Sequence, residues 1–206
     1  MSTPIRILAV DDHPLFREGM ATLIAQDASM ELVAQASSGR QAIELYRAAV
    51  PDVALVDLQL PDMDGLQVVS AIQGEFPDAR LIILTTYGGD MRALRALRAG
   101  ARAYLLKHCP PEEMLDTIRA VHKGQKRVQP EVAEELAAHA IDQPLTDREV
   151  QVLGLLVSGQ SNREVALALN IREETAKGHV KNVLAKLGVR DRTQAVLTAL
   201  KRGFIQ

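Results

Sequence analysis

The sequence predicts an α/β fold, a doubly wound five-stranded parallel sheet, followed by a small all-α domain. Two observations carry this. As far as Gly124, short runs of branched apolar residues alternate with longer segments of helical period. From Leu145 onward there is no strand signal, and four short helical segments fill the remaining chain.

The elements follow in order. Strands are expected at Ile5–Val10, Glu31–Ala34, Val53–Val56, Leu81–Leu84 and Ala103–Leu105. Helices fill the gaps at Pro14–Ala25, Gly39–Ala49, Leu66–Phe76, Met91–Ala99 and Pro111–His122. Five βα units of this length build a parallel sheet covered on both faces. Pro110-Pro111 suits a helix start, with Glu112 and Glu113 favouring the dipole in the first turn. Lys123 to Pro144 changes character: Gly124 and Pro130 bracket a polar stretch. Glu131–Ala140 reads as a short linker helix, broken by Asp142-Gln143-Pro144. In the last part, Thr146 and Glu149 have capping-box spacing, and Gly159 ends the helix they start. A short helix then spans Asn162–Leu169. After a tight turn at Asn170-Ile171 a longer one runs to near Gly188, and the last covers Arg192–Arg202. The expected division is residues 1–124, a linker at 125–144, and a helix-turn-helix module at 145–206.

Composition sets bounds. The chain has 206 residues, 47% apolar, with no Trp and only 3% aromatics, so its cores are aliphatic. The net charge of -2 hides an asymmetry. From Leu145 onward ten Lys/Arg face six Asp/Glu, a net of +4, leaving 14 against 20 and a net of -6 before it. An acidic half joined to a basic half points to a nucleic-acid contact in the second. The single Cys109 excludes an internal disulfide, fits a reducing compartment, and reads as a small buried hydrophobe. Neither a signal peptide nor a membrane-length apolar run is visible, so a cytoplasmic protein without membrane contact is expected.

Three aspartates carry the chemistry. Asp11 and Asp12 follow the first strand, and Asp57 follows the third. In an open α/β sheet, functional groups collect at the carboxyl ends of strands where strand order reverses. Gathered there, each like-charge pair at about 4 Å costs up to ~4 kcal/mol at an effective dielectric of 20. A divalent cation compensates such a cluster, and one carboxylate can then accept a phosphoryl group. The alternative for any one Asp is a solvated turn residue.

With these residues on the page, the chain resembles a two-component response regulator of the NarL/FixJ type over nearly its whole length. The first half is similar to a flavodoxin-like receiver domain through Asp11-Asp12, Asp57, the Leu60-Pro61-Asp62-Met63-Asp64-Gly65 turn, Thr85 and Lys107. The second is similar to a LuxR-type helix-turn-helix. It carries Leu145-Thr146-Asp147-Arg148-Glu149, the run from Gly159 to Ala166, Thr175-Ala176-Lys177-Gly178-His179-Val180, and Lys186-Leu187-Gly188-Val189. The resemblance implies that Asp57 accepts phosphate from a sensor histidine kinase's phosphohistidine. It implies Mg2+ held directly by Asp12, Asp57 and the Gln59 carbonyl, with Asp11 reaching it through water. Lys107 and Thr85 would contact phosphate oxygens, and Tyr104 would rotate inward as Thr85 moves. Each has a plainer alternative: Lys107 a solvated lysine, Thr85 an ordinary strand-end residue, Tyr104 simple packing. Asp62 and Asp64 are expected to cap the following helix, His108 to be surface, and Gly88-Gly89 to mark a loop.

The helix after Ile171 has two faces. Ala176, Val180, Val183, Leu184 and Leu187 form one stripe and are expected in the core. Lys177, Gly178, Lys181 and Asn182 lie opposite and are expected to meet double-stranded DNA. Val196, Ala199 and Leu200 make a second stripe, expected either at a homodimer contact after phosphorylation or within their own domain. Relatives usually have Ser where this chain has Arg172, and Val where it has Gly178. Thr86 occupies a position often held by a smaller residue.

Rival functions meet specific obstacles. A haloacid-dehalogenase-like phosphatase needs a second Asp two residues after the nucleophile, where this chain has Gln59. A DNA-binding protein indifferent to phosphorylation would not need the full acceptor set. A regulator rather than an enzyme is therefore expected, with RNA polymerase among its partners.

Overall fold

The computed structural model describes residues 3–86, 88–139 and 143–205; Asp142, expected to help break the linker helix, lies outside them. The chain folds as two compact units, one within Met1–Tyr87 and Ala93–Ala133, the other within Gly88–Arg92 and Glu134–Gln206.

The sheet contains β1 (Ile5–Val10), β2 (Met30–Ala36), β3 (Val53–Asp57), β4 (Leu81–Thr85), β5 (Ala103–Leu106) and β6 (Arg127–Val128). All pairings are parallel, in the order β2-β1-β3-β4-β5-β6. The five expected strands are present. The sixth corrects the count: two residues of the expected linker pair with Ala103 and Tyr104 on the outer edge of β5. Gln129 then accepts a hydrogen bond from the Leu106 amide through Oε1, a contact buried in the protein. Strands β3 and β4 are buried throughout, which is why they read as unbroken apolar runs.

Helices α1 (Pro14–Ala25), α2 (Gly39–Ala49), α3 (Gly65–Glu75), α4 (Asp90–Ala99) and α5 (Pro111–His122) connect the strands, and α6 (Pro130–Ala138) follows β6. Asp64 caps α3 in a capping box with Gln67. Asp62, expected to cap the same helix, instead accepts from the Gly39 and Arg40 amides at 2.7 and 2.9 Å and so helps the N-cap Ser38 to cap α2. The turn holding both lies against two helix starts, and only one of them follows it in sequence.

The second unit contains α7 (Asp147–Val157), α8 (Asn162–Ala168), α9 (Glu173–Leu187) and α10 (Arg192–Arg202). Capping boxes Thr146/Glu149 and Ser161/Glu164 start α7 and α8. Asn170 takes a left-handed conformation at φ 53° in the turn before α9. The core gathers Val152, Leu153, Leu156, Val165, Val183 and Phe204.

Glu149 is buried, and its Oε2 holds three donors: the Thr146 amide at 2.8 Å, the Thr146 hydroxyl at 3.0 Å and Lys186 Nζ at 2.7 Å. Burial opposes its charge, but the Lys186 and Thr146 bonds outweigh that and lower its pKa below the ordinary 4.5. A depressed carboxyl stabilises the fold above its unfolded pKa, and that stability is lost as pH falls through the folded value. Glu149→Ala should therefore cost about 2 kcal/mol at pH 7, as expected for hydrogen bonds to a charged group. Hydrogen exchange in α7 and α9 measures this. The advantage of wild type over Glu149→Gln should shrink on acidification below pH 4.5.

Candidate functional site

Strand order reverses between β1 and β3, which lie side by side, and the three aspartates sit at that point. Asp11 follows β1 and is fully buried; Asp57 ends β3 with 2% exposure. Asp12 is partly open to solvent, its side chain 36% exposed. Lys107 follows β5 and reaches across: its Nζ lies 2.7 Å from Asp11 Oδ2 and 2.7 Å from Asp57 Oδ2. Phe16 of α1 lies beneath the ammonium, with the ring centre 4.9 Å away. The Lys107 amide donates to the Thr85 carbonyl at 2.7 Å, tying the ends of β4 and β5 together. Thr85 is buried at 1% exposure, Thr86 is exposed, and Tyr104 is fully buried.

Local backbone chemistry fixes the aspartates. Asp11 Oδ1 accepts from the His13 amide at 2.9 Å, and its carbonyl accepts from Arg17 Nη1 at 2.6 Å. Asp57 Oδ1 accepts from the Gln59 amide at 3.2 Å. Gly65 is required where it stands. A Cβ there would meet the Asp57 carbonyl oxygen at 2.2 Å, so any side chain would push α3 away from β3.

The electrostatics follow from burial and one shared cation. Desolvation pushes the Asp57 carboxyl above the ordinary carboxylate range; the Lys107 hydrogen bond opposes this, and the Asp11 charge adds to it. Burial also works against the Lys107 charge, yet its bonds to Asp11 and Asp57 outweigh that and raise its pKa. The ammonium has two carboxylates to itself, whereas each carboxylate has only a share of the ammonium.

The donor set fits a divalent cation. Among the described residues, ligand atoms of Asp11, Asp12, His13 and Asp57 all lie within 4.8 Å of one another. Asp12 Oδ1 and Asp11 Oδ2 are buried and accept no hydrogen bond of good geometry, although His13 Nδ1 and Lys107 Nζ stand within 2.6 and 2.7 Å of them. Such short electrostatic contacts leave lone pairs unused, which is what a hard cation takes up. His13 was not singled out in the sequence. Its position directly after two aspartates was the available signal. His108 is exposed and Cys109 buried, as expected.

In the second unit, α9 presents Lys177, Gly178, Lys181 and Asn182 to solvent, while Ala176 and Val183 are buried. Arg172 occupies the N-cap and makes no side-chain capping bond. Nothing lies within 4 Å of where a Cβ of Gly178 would stand. Lys177 is not free: Glu174 and Glu173 stand 3.4 and 3.6 Å from its Nζ and raise its pKa. The α10 stripe takes the second of its two expected places. Ala199 is fully buried in the core of its own unit and Val196 is packed against that core, so the stripe serves folding. Leu200 remains 42% exposed and Leu197 62% exposed.

Comparison with known proteins agrees with this geometry. Residues 7–119 match the family model of the response regulator receiver domain, and residues 143–199 that of bacterial regulatory proteins of the luxR family. The uncharacterized transcriptional regulatory protein YhcZ of Bacillus subtilis is 39% identical, covering 96% of each chain. The response regulator protein VraR of Staphylococcus aureus is 35% identical over 98% of this chain and 99% of its own. Among solved structures, the response regulator ChrA of a heme-sensing two-component system matches 99% of this chain and 100% of its own, with 34% identity and a TM-score of 0.58. A LuxR-family response regulator from Aurantimonas is 37% identical over 68% of this chain and 100% of its own, with a TM-score of 0.65. RcsB, in dimers bound to DNA, shares the fold with a TM-score of 0.76 at 23% identity, over 97% of this chain and 99% of its own. The chain belongs to the response regulator family of two-component systems, with a receiver domain joined to a LuxR-type helix-turn-helix domain that regulates transcription.

Proposed function

We propose that Asp57 is the phosphoacceptor and that a sensor histidine kinase supplies the phosphoryl group. The observation that carries this is the placement of a buried carboxylate at the end of β3, with Lys107 Nζ 2.7 Å from its Oδ2. In the transfer, an Asp57 oxygen bonds to phosphorus as the phosphohistidine P–N bond breaks, and its electron pair stays on the imidazole. Lys107 then exchanges a carboxylate contact for a phosphate oxygen, and the Thr85 hydroxyl takes another. Asp11, Asp12, Asp57 and the Gln59 carbonyl are the groups that would hold Mg2+. When bound, it neutralises charge between the carboxylates and the arriving phosphoryl oxygens. Gln59 neither gives nor takes a proton, so nothing at that position promotes rapid hydrolysis of the product. Tyr104 is already inside the fold. The switch we assign to Thr85 and Tyr104 is therefore a repacking within the core.

The functional division is a receiver at residues 1–124, a linker at 125–144 and a DNA-binding domain at 145–206. Lys177, Gly178, Lys181 and Asn182 form the face of α9 that meets double-stranded DNA. Phosphorylation promotes a homodimer, which brings two such helices to one operator. With Ala199 and Val196 in the core, exposed Leu200 is what remains of the α10 contact proposed for that dimer. The compartment is the cytoplasm, where kinase, DNA and RNA polymerase are met; no described helix is long and apolar enough to cross a membrane.

Intact mass after acetyl phosphate and a divalent cation should rise by one phosphoryl group, and Asp57→Asn should abolish this. An equal yield in the variant would overturn the assignment, and continuous phosphate turnover would indicate an enzyme. In the absence of divalent cations, Asp57→Asn should also raise the melting temperature. The raised carboxyl pKa means that the ionised side chain costs native stability at neutral pH.

On DNA, the two lysines should differ. Among the described residues Lys181 makes no ion pair, whereas Lys177 must leave Glu173 and Glu174. Lys181→Ala should therefore lose more affinity than Lys177→Ala, and each phosphate contact removed should lower the salt slope by roughly 1. Glu174→Ala should tighten binding to every sequence alike. Titrations of matched and scrambled operators at several salt concentrations check all three.

A further inference from the structure

The cation site contains one ligand that a purely oxygen-coordinated ion does not call for. His13 is the N-cap of α1 and makes no side-chain capping bond with the helix. Its imidazole is turned instead toward the aspartates, with Nδ1 2.6 Å from Asp12 Oδ1 and 3.3 Å from Asp11 Oδ1. The backbone holds it there: the His13 amide donates to Asp11 Oδ1, and Pro14 fixes the next residue at the first helical position. The ring itself is 69% exposed, so a cation can reach it from solvent.

The distances suit a shared ion. Ligands at right angles on a cation with bonds of about 2.1 Å stand about 3 Å apart. The Nδ1–oxygen separations of 2.6 and 3.3 Å bracket that value. Asp12 Oδ1, buried and accepting no well-formed hydrogen bond, is the oxygen nearest the ring. Imidazole nitrogen is a poor partner for Mg2+ and a good one for first-row transition ions.

We propose that His13 is a nitrogen ligand at the receiver's cation site and biases it toward Mn2+ and other transition-metal divalent ions over Mg2+. This rests on the reading of Asp11, Asp12 and Asp57 as a cation site, and adds a selectivity that three carboxylates and a carbonyl would not have. The bias comes from the nitrogen donor, so it should vanish with the ring while the oxygen site survives.

The test uses the full chain and Mn2+ alone. Loss of the aqueous Mn2+ electron paramagnetic resonance signal counts bound ions. Spin-echo modulation detects an imidazole nitrogen bonded to them. Wild type should show nitrogen modulation, and His13→Ala should lose it. Mn2+ affinity should fall about tenfold or more in His13→Ala, the scale of losses when a site's coordination is disturbed. Mg2+, measured by competition, should bind the variant within about twofold of wild type. Bound Mn2+ without nitrogen modulation in wild type would overturn the role of His13, as would equal losses for the two ions. Asp12→Ala separates the two readings: if it binds Mn2+ as well as wild type, the carboxylate site itself is wrong.

Discussion

One half-buried ammonium organises the receiver. Asp11 and Asp57 are almost wholly removed from water, and Lys107 Nζ lies within 2.7 Å of both. Removing Lys107 would leave two carboxylates buried and uncompensated, a loss that commonly costs several kcal/mol. The arrangement joins the ends of three strands, β1, β3 and β5. It also leaves the site short of positive charge, with two buried carboxylates and a third nearby sharing one lysine. On the proposed reading, a cation would offset that imbalance by adding positive charge, and a phosphoryl group by drawing Lys107 toward new oxygens.

The backbone is crowded around Asp57. Gly65 lets α3 approach to where a Cβ would strike the Asp57 carbonyl. Asp64 caps α3, and Asp62 from the same turn helps to cap α2, so one short segment fixes two helix starts beside the site. Neither carboxylate is then available to add negative charge to the acceptor cluster. The turn between β3 and α3 thus spends its acids on backbone amides, where they stabilise helices.

Much of this was legible in the chain. The apolar runs before Asp11 and at Val53–Val56 pointed to parallel strands and to the site together, because buried parallel strands are apolar until the residue that emerges at the end. The capping box at Thr146 and Glu149 was readable from spacing alone, although its third partner, Lys186, lies 37 residues away. Asp62 was legible as a cap but not as a cap of α2, whose amides lie 22 and 23 residues earlier. The stripe on α10 showed an apolar face without showing what covers it, and its own core covers Ala199. The Glu173 and Glu174 contacts with Lys177 follow helix spacing of four and three, and could have been read from the sequence. Strand β6 could not, since two residues carry no period.

That last omission has physical weight. β5 carries Tyr104 and leads into Lys107, and its outer edge is paired by Val128, opposite Tyr104. One residue further on, Gln129 accepts from the Leu106 amide, directly before Lys107. A strand with unpaired edge amides would be free to shift at its end, whereas this one is held by the segment that follows α5. A movement of Lys107 toward a phosphoryl group would load that hydrogen bond, because the two residues are adjacent on one strand. Substituting Gln129 would leave the Leu106 amide buried and unpaired, at a cost of about 1–3 kcal/mol. The residues that read as linker are therefore part of the scaffold that holds β5.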